Sequence, residues 1–402
     1  MTVEILPSKA AGAVWAPPSK SMAHRYLIAA ALAKGKSVVR GIAYSQDILA
    51  TIDCLLALGV QLQKDGDAVT IWGGTPLEPK GELCCRESGS TLRFMLPLCW
   101  NGETGVTLTG SDRLMERPLS IYEELAAANG LLISRGKGIV TVCGTLQAGS
   151  YEVDGGVSSQ FITGLIFALL TKNTASEICL TGKVESRSYI DLTLDALREF
   201  GFDVGWKDDH SLFISPGDGI ARDLTVEGDY SNAAFFEGSN LLGGAVQVRG
   251  LKERSLQGDR IYKKYFRALK QGKPTLSLAD CPDLGPILFV VAAALNGGIF
   301  TDTARLKIKE SDRGAAMATE LKKCGVHVLL EENRILVPGG SIKAPTERIN
   351  GHNDHRIVMA MAILLTLCGG VIDGAEAVSK SMPDFFEKLL LLGIEIKRDE
   401  TE

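Results

Sequence analysis

Basic and hydroxyl side chains stand at the start of an alanine-rich apolar run in PPSKSMAHRYLIAAALAKG, residues 17–35. The Pro-Pro-Ser opening is good helix-starting chemistry, because proline restricts the backbone and the Ser19 hydroxyl can cap free N–H groups. Lys20, Ser21 and Arg25 favour a second interpretation. A helix N-terminus offers free N–H donors and a partial positive charge, which these cations would reinforce for an anion. The stretch alone leaves both interpretations open.

The same combination recurs before other helical runs. CRESGSTLRF, DGGVSSQF, EGDYSNAAF, DCPDLGPI and HNDHRIVM precede apolar runs, and GSDRLMERPL, VESRSYIDL, RLKIKESDR and VSKSMPDF precede amphipathic ones. A cation there opposes the helix dipole, so a bound anion explains it better than a cap does. The cations at these starts are Lys20, Arg25, Arg117, Arg187, Lys309, Arg313, Arg356 and Lys380. The recurrence predicts a shared anion site, with solvated charge as the alternative for any one cation, Arg187 especially.

Amphipathic segments that end in a glycine before a short β-like run occur six times. The glycines are Gly59, Gly130, Gly201, Gly272, Gly325 and Gly393, of which the first four lie 71 residues apart. Each copy reads as a loop, an apolar helix, a turn, a strand, a charged loop and the amphipathic helix, and a strand hairpin follows most copies. This repetition predicts six α/β units that bury their faces against neighbours. The last copy lacks a second strand, so we expect TVEIL, residues 2–6, to complete it.

That completion predicts two domains of three repeats each. We expect one to comprise residues 1–15 plus 226–402 and the other residues 16–225, with the active site in the cleft between the domains. The length of 402 residues and the 45% hydrophobic content are sufficient for two sizeable cores.

Composition argues against several classes of protein. The chain has 43 Lys and Arg against 48 Asp and Glu, a net charge of −5, and no basic tract that would indicate a nucleic-acid partner. Its nine cysteines are scattered without a CxxC pair, which favours reduced thiols in the cytoplasm over a disulfide framework or a zinc site. The N-terminus does not resemble a secretory signal. The apolar runs 284–295 and 357–372 are too short or too interrupted by glycine for membrane spans, so we expect buried helices.

Taken in order, SKSMAHR, GSTLR, RLMERPL, VSSQF, SRSYIDLT, VEGDYSNAAFF, IKESDR, HNDHR and SKSMPDFF closely resemble the motifs of the EPSP synthase (3-phosphoshikimate 1-carboxyvinyltransferase) family. They cover nearly the whole chain. The resemblance implies a two-domain inside-out α/β fold of six βαβαββ repeats. It also implies transfer of the enolpyruvyl group of phosphoenolpyruvate to the 5-hydroxyl of shikimate 3-phosphate by addition and elimination, a step of chorismate and aromatic amino-acid biosynthesis. No cofactor and no metal are implied.

The resemblance also implies roles, position by position. Asp283 would take the proton of the reacting hydroxyl, Glu310 would protonate the methylene of phosphoenolpyruvate, and Lys20 would face the reacting centre. The residues implied for shikimate 3-phosphate are Lys20, Ser21, Arg25, Ser158, Ser159, Gln160, Ser186, Asp283, Arg305 and Lys309. Those implied for phosphoenolpyruvate are Lys20, Gly89, Arg117, Gln160, Arg313, Arg356 and Lys380. Arg305 stands where family members often have Asn. A helix-start aspartate and a plain ion pair remain the alternatives for Asp283 and Glu310.

Two other functions compete with this one. UDP-N-acetylglucosamine 1-carboxyvinyltransferases share the fold and reaction type, but they typically open with a Lys-Asn pair and have a loop cysteine, whereas Lys20 here precedes Ser21. A catalytically idle anion-binding scaffold would tolerate loss of the acid–base set, yet Lys20, Asp283, Lys309 and Glu310 are all present. We expect a cytoplasmic monomer that binds the two small substrates and neither nucleic acid nor membrane.

Overall fold

The computed structural model describes residues 1–340 and 342–399. In this part of the chain the strands are β1 (Thr2–Ile5), β2 (Ala11–Trp15), β3 (Gly35–Arg40), β4 (Gln61–Asp65), β5 (Ala68–Gly73), β6 (Gly81–Cys84), β7 (Asn101–Thr109), β8 (Leu132–Gly136), β9 (Ile139–Thr145), β10 (Ser150–Asp154), β11 (Ser176–Thr181), β12 (Val204–Trp206), β13 (Ser211–Ile214), β14 (Leu224–Thr225), β15 (Ala245–Arg249), β16 (Thr275–Ser277), β17 (Gly297–Thr301), β18 (Leu329–Leu330), β19 (Arg334–Pro338), β20 (Ile349–Asn350), β21 (Gly370–Asp373) and β22 (Ile396–Asp399). The α-helices are α1 (Lys20–Leu32), α2 (Gln46–Ala57), α3 (Gly89–Leu98), α4 (Asp112–Glu116), α5 (Ser120–Ala128), α6 (Ser159–Leu170), α7 (Arg187–Glu199), α8 (Tyr230–Leu241), α9 (Tyr262–Gln271), α10 (Gly285–Ala294), α11 (Arg313–Lys323), α12 (His355–Cys368) and α13 (Phe385–Leu391). Short 3-10 helices cover Gly258–Ile261, Pro282–Leu284, Ala304–Ile308 and Ala375–Lys380.

The chain folds into two compact units. The terminal unit comprises Met1–Pro17 and the described residues from Gly228 onward, and the central unit comprises Pro18–Glu227. Each unit has its own apolar core of buried side chains. The two units hold three repeats each, and the predicted six-repeat α/β fold is confirmed.

One strand order recurs in the three sheets of the central unit, which read β14-β3-β5-β4, β6-β7-β9-β8 and β10-β11-β13-β12. In each sheet the first two strands are parallel and the remaining pairs are antiparallel. An apolar helix lies between the parallel strands in the second and third sheets, as a βαβ connection requires.

In the terminal unit the sheets β16-β17-β19-β18 and β20-β21-β1-β22 have the same order, while β15 and β2 form a parallel two-stranded sheet. Strand β1 lies between β21 and β22 and is antiparallel to both. It therefore occupies the place that the second hairpin strand has in the other four-stranded sheets.

The unit boundaries fall two residues later than the expected 15/16 and 225/226. The first and fourth repeats exchange edge strands. Strand β2 precedes α1 in the chain but pairs with β15, and β14 precedes α8 but pairs with β3. The chain therefore passes from one unit to the other after an edge strand and before the helix that follows that strand.

The apolar helices are buried on nearly all sides, because α6, α10 and α12 have no polar face to present to solvent. The expectation of buried helices at 284–295 and 357–372 is confirmed, with β21 forming the end of the second run. Among the described residues, no helix combines the length and the apolar character needed to cross a membrane.

Candidate active site

The residues of interest fall into two clusters, one in each unit. The Asp283 cluster of the terminal unit comprises Asp283, Lys309, Glu310, Arg313, Asp354, Arg356 and Lys380. The Gln160 cluster of the central unit comprises Lys20, Arg25, Gly89, Arg93, Arg117 and Gln160. Lys20, Arg313 and Arg356 lie in the first turn of a helix, as the sequence pattern predicts. Arg117 and Lys309 instead directly follow a helix, and Lys380 is the last residue of one.

Three cations surround the Asp283 carboxylate, which lies in the 3-10 helix that leads into α10. Its Oδ1 lies 2.7 Å from Arg313 Nη1 and 3.2 Å from Lys309 Nζ. Its Oδ2 accepts a hydrogen bond of 3.2 Å from Arg356 Nη2. The predicted proton acceptor therefore contacts predicted ligands of both substrates.

Arg313, the first residue of α11, has a side chain that is only 1% exposed and pairs with three carboxylates. Besides Asp283, its Nε donates to Asp354 Oδ2 at 2.9 Å and its Nη2 to Glu310 Oε2 at 2.6 Å. Burial alone would lower the pKa of Arg313, but Asp354, Glu310 and Asp283 outweigh it and raise the pKa above its ordinary value. Arg313 therefore stays charged, and a bound anion must compete with these carboxylates for it.

The Lys309 ammonium loses its charge more easily than that of an exposed lysine. Burial lowers its pKa to about 8, and the neighbouring Arg305 and Arg313 add to the effect while Asp283 opposes it. Arg305 is itself buried and donates from Nη1 to the Ala279 carbonyl at 3.3 Å. Arg305 thus adds a second positive charge near the Lys309 ammonium, which contacts Asp283.

The segment that leads into α12 connects the remaining cations. Asp354 caps α12 by accepting from the backbone N–H of Arg356 at 3.0 Å. Arg356 Nη1 also donates to Ser231 Oγ at 2.5 Å, and Lys380 Nζ donates to the carbonyl of Asn353 at 2.5 Å. The phosphoenolpyruvate cations predicted in this unit therefore belong to one connected network.

In the central unit the Ser19 hydroxyl accepts from the Met22 N–H at 3.4 Å, so its predicted capping role is confirmed. Helix α1 ends at Leu32, and β3 begins at Gly35. Lys20 Nζ pairs with Asp47 Oδ2 of α2 at 2.7 Å. The Lys20 ammonium is thus held by a carboxylate that the sequence motifs had not indicated.

Arg25 is buried, with neutral oxygen atoms around its guanidinium. It donates to Thr193 Oγ1 at 2.8 Å, to the Ser21 carbonyl at 2.7 Å and to the Tyr189 carbonyl at 3.0 Å. Burial lowers its pKa to about 10. A buried cation held by carbonyl and hydroxyl groups is stabilised by a bound carboxylate.

Gly89 and Arg117 are in direct contact at the start of α3. A Cβ on Gly89 would lie 2.3 Å from Arg117 Nη1 and 2.8 Å from its Cζ. Only glycine therefore lets the guanidinium lie against this helix end, where free N–H groups and the helix dipole also favour an anion. These two predicted phosphoenolpyruvate residues are brought together.

Gln160, near the start of α6, is fixed on both sides of its amide. Its Oε1 accepts from Arg93 Nη1 at 2.6 Å, and its Nε2 donates to Ser90 Oγ at 2.9 Å. The Ser158 hydroxyl caps the same helix, whereas Ser186, the residue before α7, has φ 54° and makes no capping bond through its side chain. Ser158 and Ser159 are buried beside it.

The motifs contained several site residues to which the sequence argument gave no role. Arg93 is in GSTLR, Asp354 is in HNDHR, and Ser231 is in VEGDYSNAAFF. A charged residue within the apolar α3 run was the available signal for Arg93, because such a residue is rarely buried without a partner. Asp47 had no comparable signal.

Comparison with known proteins agrees with this geometry. Residues 6–389 match the family model for EPSP synthase (3-phosphoshikimate 1-carboxyvinyltransferase). A 3-phosphoshikimate 1-carboxyvinyltransferase from Clostridium kluyveri is 38% identical, with 98% of each chain covered, and one from Clostridium novyi is 37% identical, with 96% of this chain and 97% of the relative covered. The solved EPSP synthase from Acinetobacter baumannii has a TM-score of 0.78 at 25% identity over 99% of this chain and 100% of its own. The enolpyruvyl transferase NikO from Streptomyces tendae, at 12% identity and a TM-score of 0.77 over 98% of each chain, shares the fold.

Proposed function

This chain belongs to the EPSP synthase family, and we propose that its Asp283 and Gln160 clusters bind the two substrates of that enzyme and catalyse their reaction. The activity is that of a 3-phosphoshikimate 1-carboxyvinyltransferase, an enolpyruvyl transferase of the shikimate pathway. The relatives do not favour UDP-N-acetylglucosamine as the acceptor. We propose further that the protein works as a monomer in the cytoplasm.

The observation that supports the proposal most is the set of contacts to Asp283. Lys309, proposed to bind the phosphate of shikimate 3-phosphate, and Arg313 and Arg356, proposed to bind phosphoenolpyruvate, all contact this one carboxylate. A structural aspartate at a helix start needs one or two N–H donors and no such set of cations. An acceptor hydroxyl and an enol phosphate that use these cations would meet at Asp283.

The proposed ligand sets follow the sequence expectations. Arg25 with Ser21 would bind the shikimate carboxylate, and Ser158, Ser159, Ser186, Arg305 and Lys309 would bind its phosphate. Arg117 with the N-terminus of α3 at Gly89, together with Arg313, Arg356 and Lys380, would bind the phosphate and carboxylate of phosphoenolpyruvate. Lys20 and Gln160 would contact both substrates. Charge-assisted hydrogen bonds of this kind suit phosphates that each have a charge of about −1.5 to −2.

The proposed reaction proceeds by addition and then elimination. Asp283 takes the proton of the 5-hydroxyl as its oxygen bonds to the enol carbon, and Glu310 gives a proton to the methylene carbon. The tetrahedral intermediate then returns a methyl proton to Glu310, and phosphate leaves with the proton first taken by Asp283. The double bond is restored, and both carboxyl groups end in their starting state.

Glu310 must hold a proton before it can act as the acid. In the free protein it contacts Arg313 at 2.6 Å. Phosphoenolpyruvate would compete for this cation and place negative charge beside Glu310, whereas Asp283 also contacts Lys309 and Arg356. Nearby negative charge favours the protonated form of a carboxyl group. Binding of phosphoenolpyruvate would therefore favour the protonated form of Glu310, which the reaction needs as its acid.

The test is release of inorganic phosphate from phosphoenolpyruvate with three acceptors: shikimate 3-phosphate, unphosphorylated shikimate and UDP-N-acetylglucosamine. We expect rapid release only with shikimate 3-phosphate. Release with UDP-N-acetylglucosamine alone would replace the proposed acceptor. No release with any acceptor, from protein that still binds shikimate 3-phosphate, would identify an inactive scaffold. Sedimentation velocity with and without substrates tests the proposed monomer.

A further inference from the structure

Glu320 is a buried carboxylate of the terminal unit that neither proposed ligand set includes. It lies on α11 seven residues after Arg313, which is about two helical turns away on the same side of the helix. Its side chain is 1% exposed. A carboxylate is costly to bury unless it is paired and hydrogen-bonded, so its partners indicate what it does.

Two of its partners belong to one short segment, residues 350–354. Glu320 Oε2 accepts from the backbone N–H of Asn350 at 2.9 Å, and Oε1 lies 2.7 Å from His352 Nε2. The third partner, Lys323, lies on α11 itself, 2.7 Å from Oε2. Burial alone would raise the pKa of Glu320, but His352, Lys323 and the Asn350 amide outweigh it and hold the pKa below its usual value.

The 350–354 segment has a backbone that needs such an anchor. His352 and Asn353 both adopt left-handed conformations, with φ of 51° and 49°. Residues other than glycine are uncommon in this region, although asparagine and histidine enter it more readily than most, and two successive residues remain there only when their surroundings hold them. Glycine at 351 is required as well, since a Cβ there would lie 2.8 Å from the Gly374 carbonyl oxygen.

The same five residues hold the proposed phosphoenolpyruvate cations in place. The Asn353 carbonyl accepts from Lys380, and Asp354 binds Arg313 Nε and caps the helix that begins with His355 and Arg356. A change in the backbone at 352 and 353 would move both acceptors. Glu320 is therefore connected to these cations through the segment.

We propose that Glu320 is a positioning residue, which clamps the 350–354 segment in its left-handed conformation and so sets the places of Lys380 and Arg313 for phosphoenolpyruvate. This inference rests on the proposed function. A positioning role predicts a selective effect that a purely structural role does not. Loss of Glu320 should weaken the binding of phosphoenolpyruvate much more than the binding of shikimate 3-phosphate.

Glu320→Gln tests the clamp, because it keeps the size of the side chain and removes the charge. Relative to the unaltered protein, we expect the KM for phosphoenolpyruvate to rise about 10-fold and the KM for shikimate 3-phosphate to change less than 2-fold. We also expect amide hydrogen exchange at 350–354 to become faster. Glu320→Asp, which keeps the charge, should recover part of the lost affinity. Glu331→Gln is the matched control, since Glu331 is 42% exposed and makes a surface ion pair with Arg334.

Equal increases in both KM values, or faster exchange with an unchanged KM for phosphoenolpyruvate, would overturn the positioning role. Unchanged exchange at 350–354 would overturn the clamp. If Glu320→Gln does not fold, His352→Ala leaves α11 intact and removes one of the two anchors, so it should raise the KM for phosphoenolpyruvate at least 3-fold. An unaltered enzyme that releases no phosphate would overturn the proposed function and this inference together. An active enzyme with an insensitive Glu320→Gln variant would overturn only the inference.

Discussion

The affinity of this protein for shikimate 3-phosphate should fall steeply between pH 7 and pH 9, because Lys309 loses its charge in that range. Its pKa is lowered to about 8 by burial among the charges of the Asp283 cluster. The free protein therefore has this ammonium about 90% charged at pH 7 and about 10% charged at pH 9. A lysine on a surface would be charged at both values.

The size of the effect follows from these fractions. If the phosphate binds only the charged form, the apparent Kd rises in inverse proportion to the charged fraction, about 10-fold from pH 7 to pH 9. The substrate contributes little, because the second pKa of a phosphate monoester is about 6 and the dianion is present throughout. Arg25, with a pKa lowered to about 10, stays mostly charged at pH 9. At pH 9 the complex should therefore take up nearly one proton.

Isothermal titration calorimetry with shikimate 3-phosphate, at pH 7 and pH 9 in two buffers of different ionisation enthalpy, measures both the Kd and the proton uptake. Lys309→Arg is the control, since an arginine at this position remains charged and should flatten the pH dependence. Lys309→Met should bind weakly at both pH values and take up no proton. A Kd that rises equally in Lys309→Arg and in the unaltered protein would refute the reasoning.

Gly89→Ala would force Arg117 away from the start of α3, because the new Cβ would lie 2.3 Å from Nη1; steady-state kinetics should show the KM for phosphoenolpyruvate raised more than 10-fold, with that for shikimate 3-phosphate nearly unchanged. Asp283→Asn removes the proposed proton acceptor, and kcat should fall about 10²–10⁴-fold, whereas a kcat within 3-fold of normal would exclude this role. Arg25→Gln removes the buried cation, so calorimetry should show a larger loss of affinity for shikimate 3-phosphate than for a phosphate ligand that lacks the shikimate carboxylate. Equal losses of affinity for the two ligands would count against a carboxylate contact.

The repeats could be predicted because their signals are local. Of the six marker glycines, five adopt a positive φ just after an amphipathic helix, a conformation in which glycine is strongly favoured; Gly272, with φ 169°, is extended instead. The partner strands of β2 and β14 could not be predicted. Both strands are short, and each pairs with residues about 185 or more positions away, so that no local pattern marks their partners.

The residues of the candidate site also differ in whether a local sequence signal marks them. Helix starts with basic residues indicated Lys20, Arg25, Arg313 and Arg356, because a cation beside a helix dipole is visible in a short stretch of sequence. The carboxylates Asp47 and Asp354, which pair with Lys20 and Arg313, lie on other elements of the chain. Their role depends on tertiary contacts, which the spacing of residues does not encode.

Strand β1 has a consequence for the order in which the protein is assembled. It is synthesised before every other strand of the described residues, but its partners β21 and β22 follow more than 360 residues later. The central unit has all of its own strands as soon as Thr225 has emerged, so domain-wise folding during synthesis begins with that unit. Residues 2–5 must wait until β21 and β22 have been made. Loss of β1 or of β22 would therefore leave the same sheet unfinished.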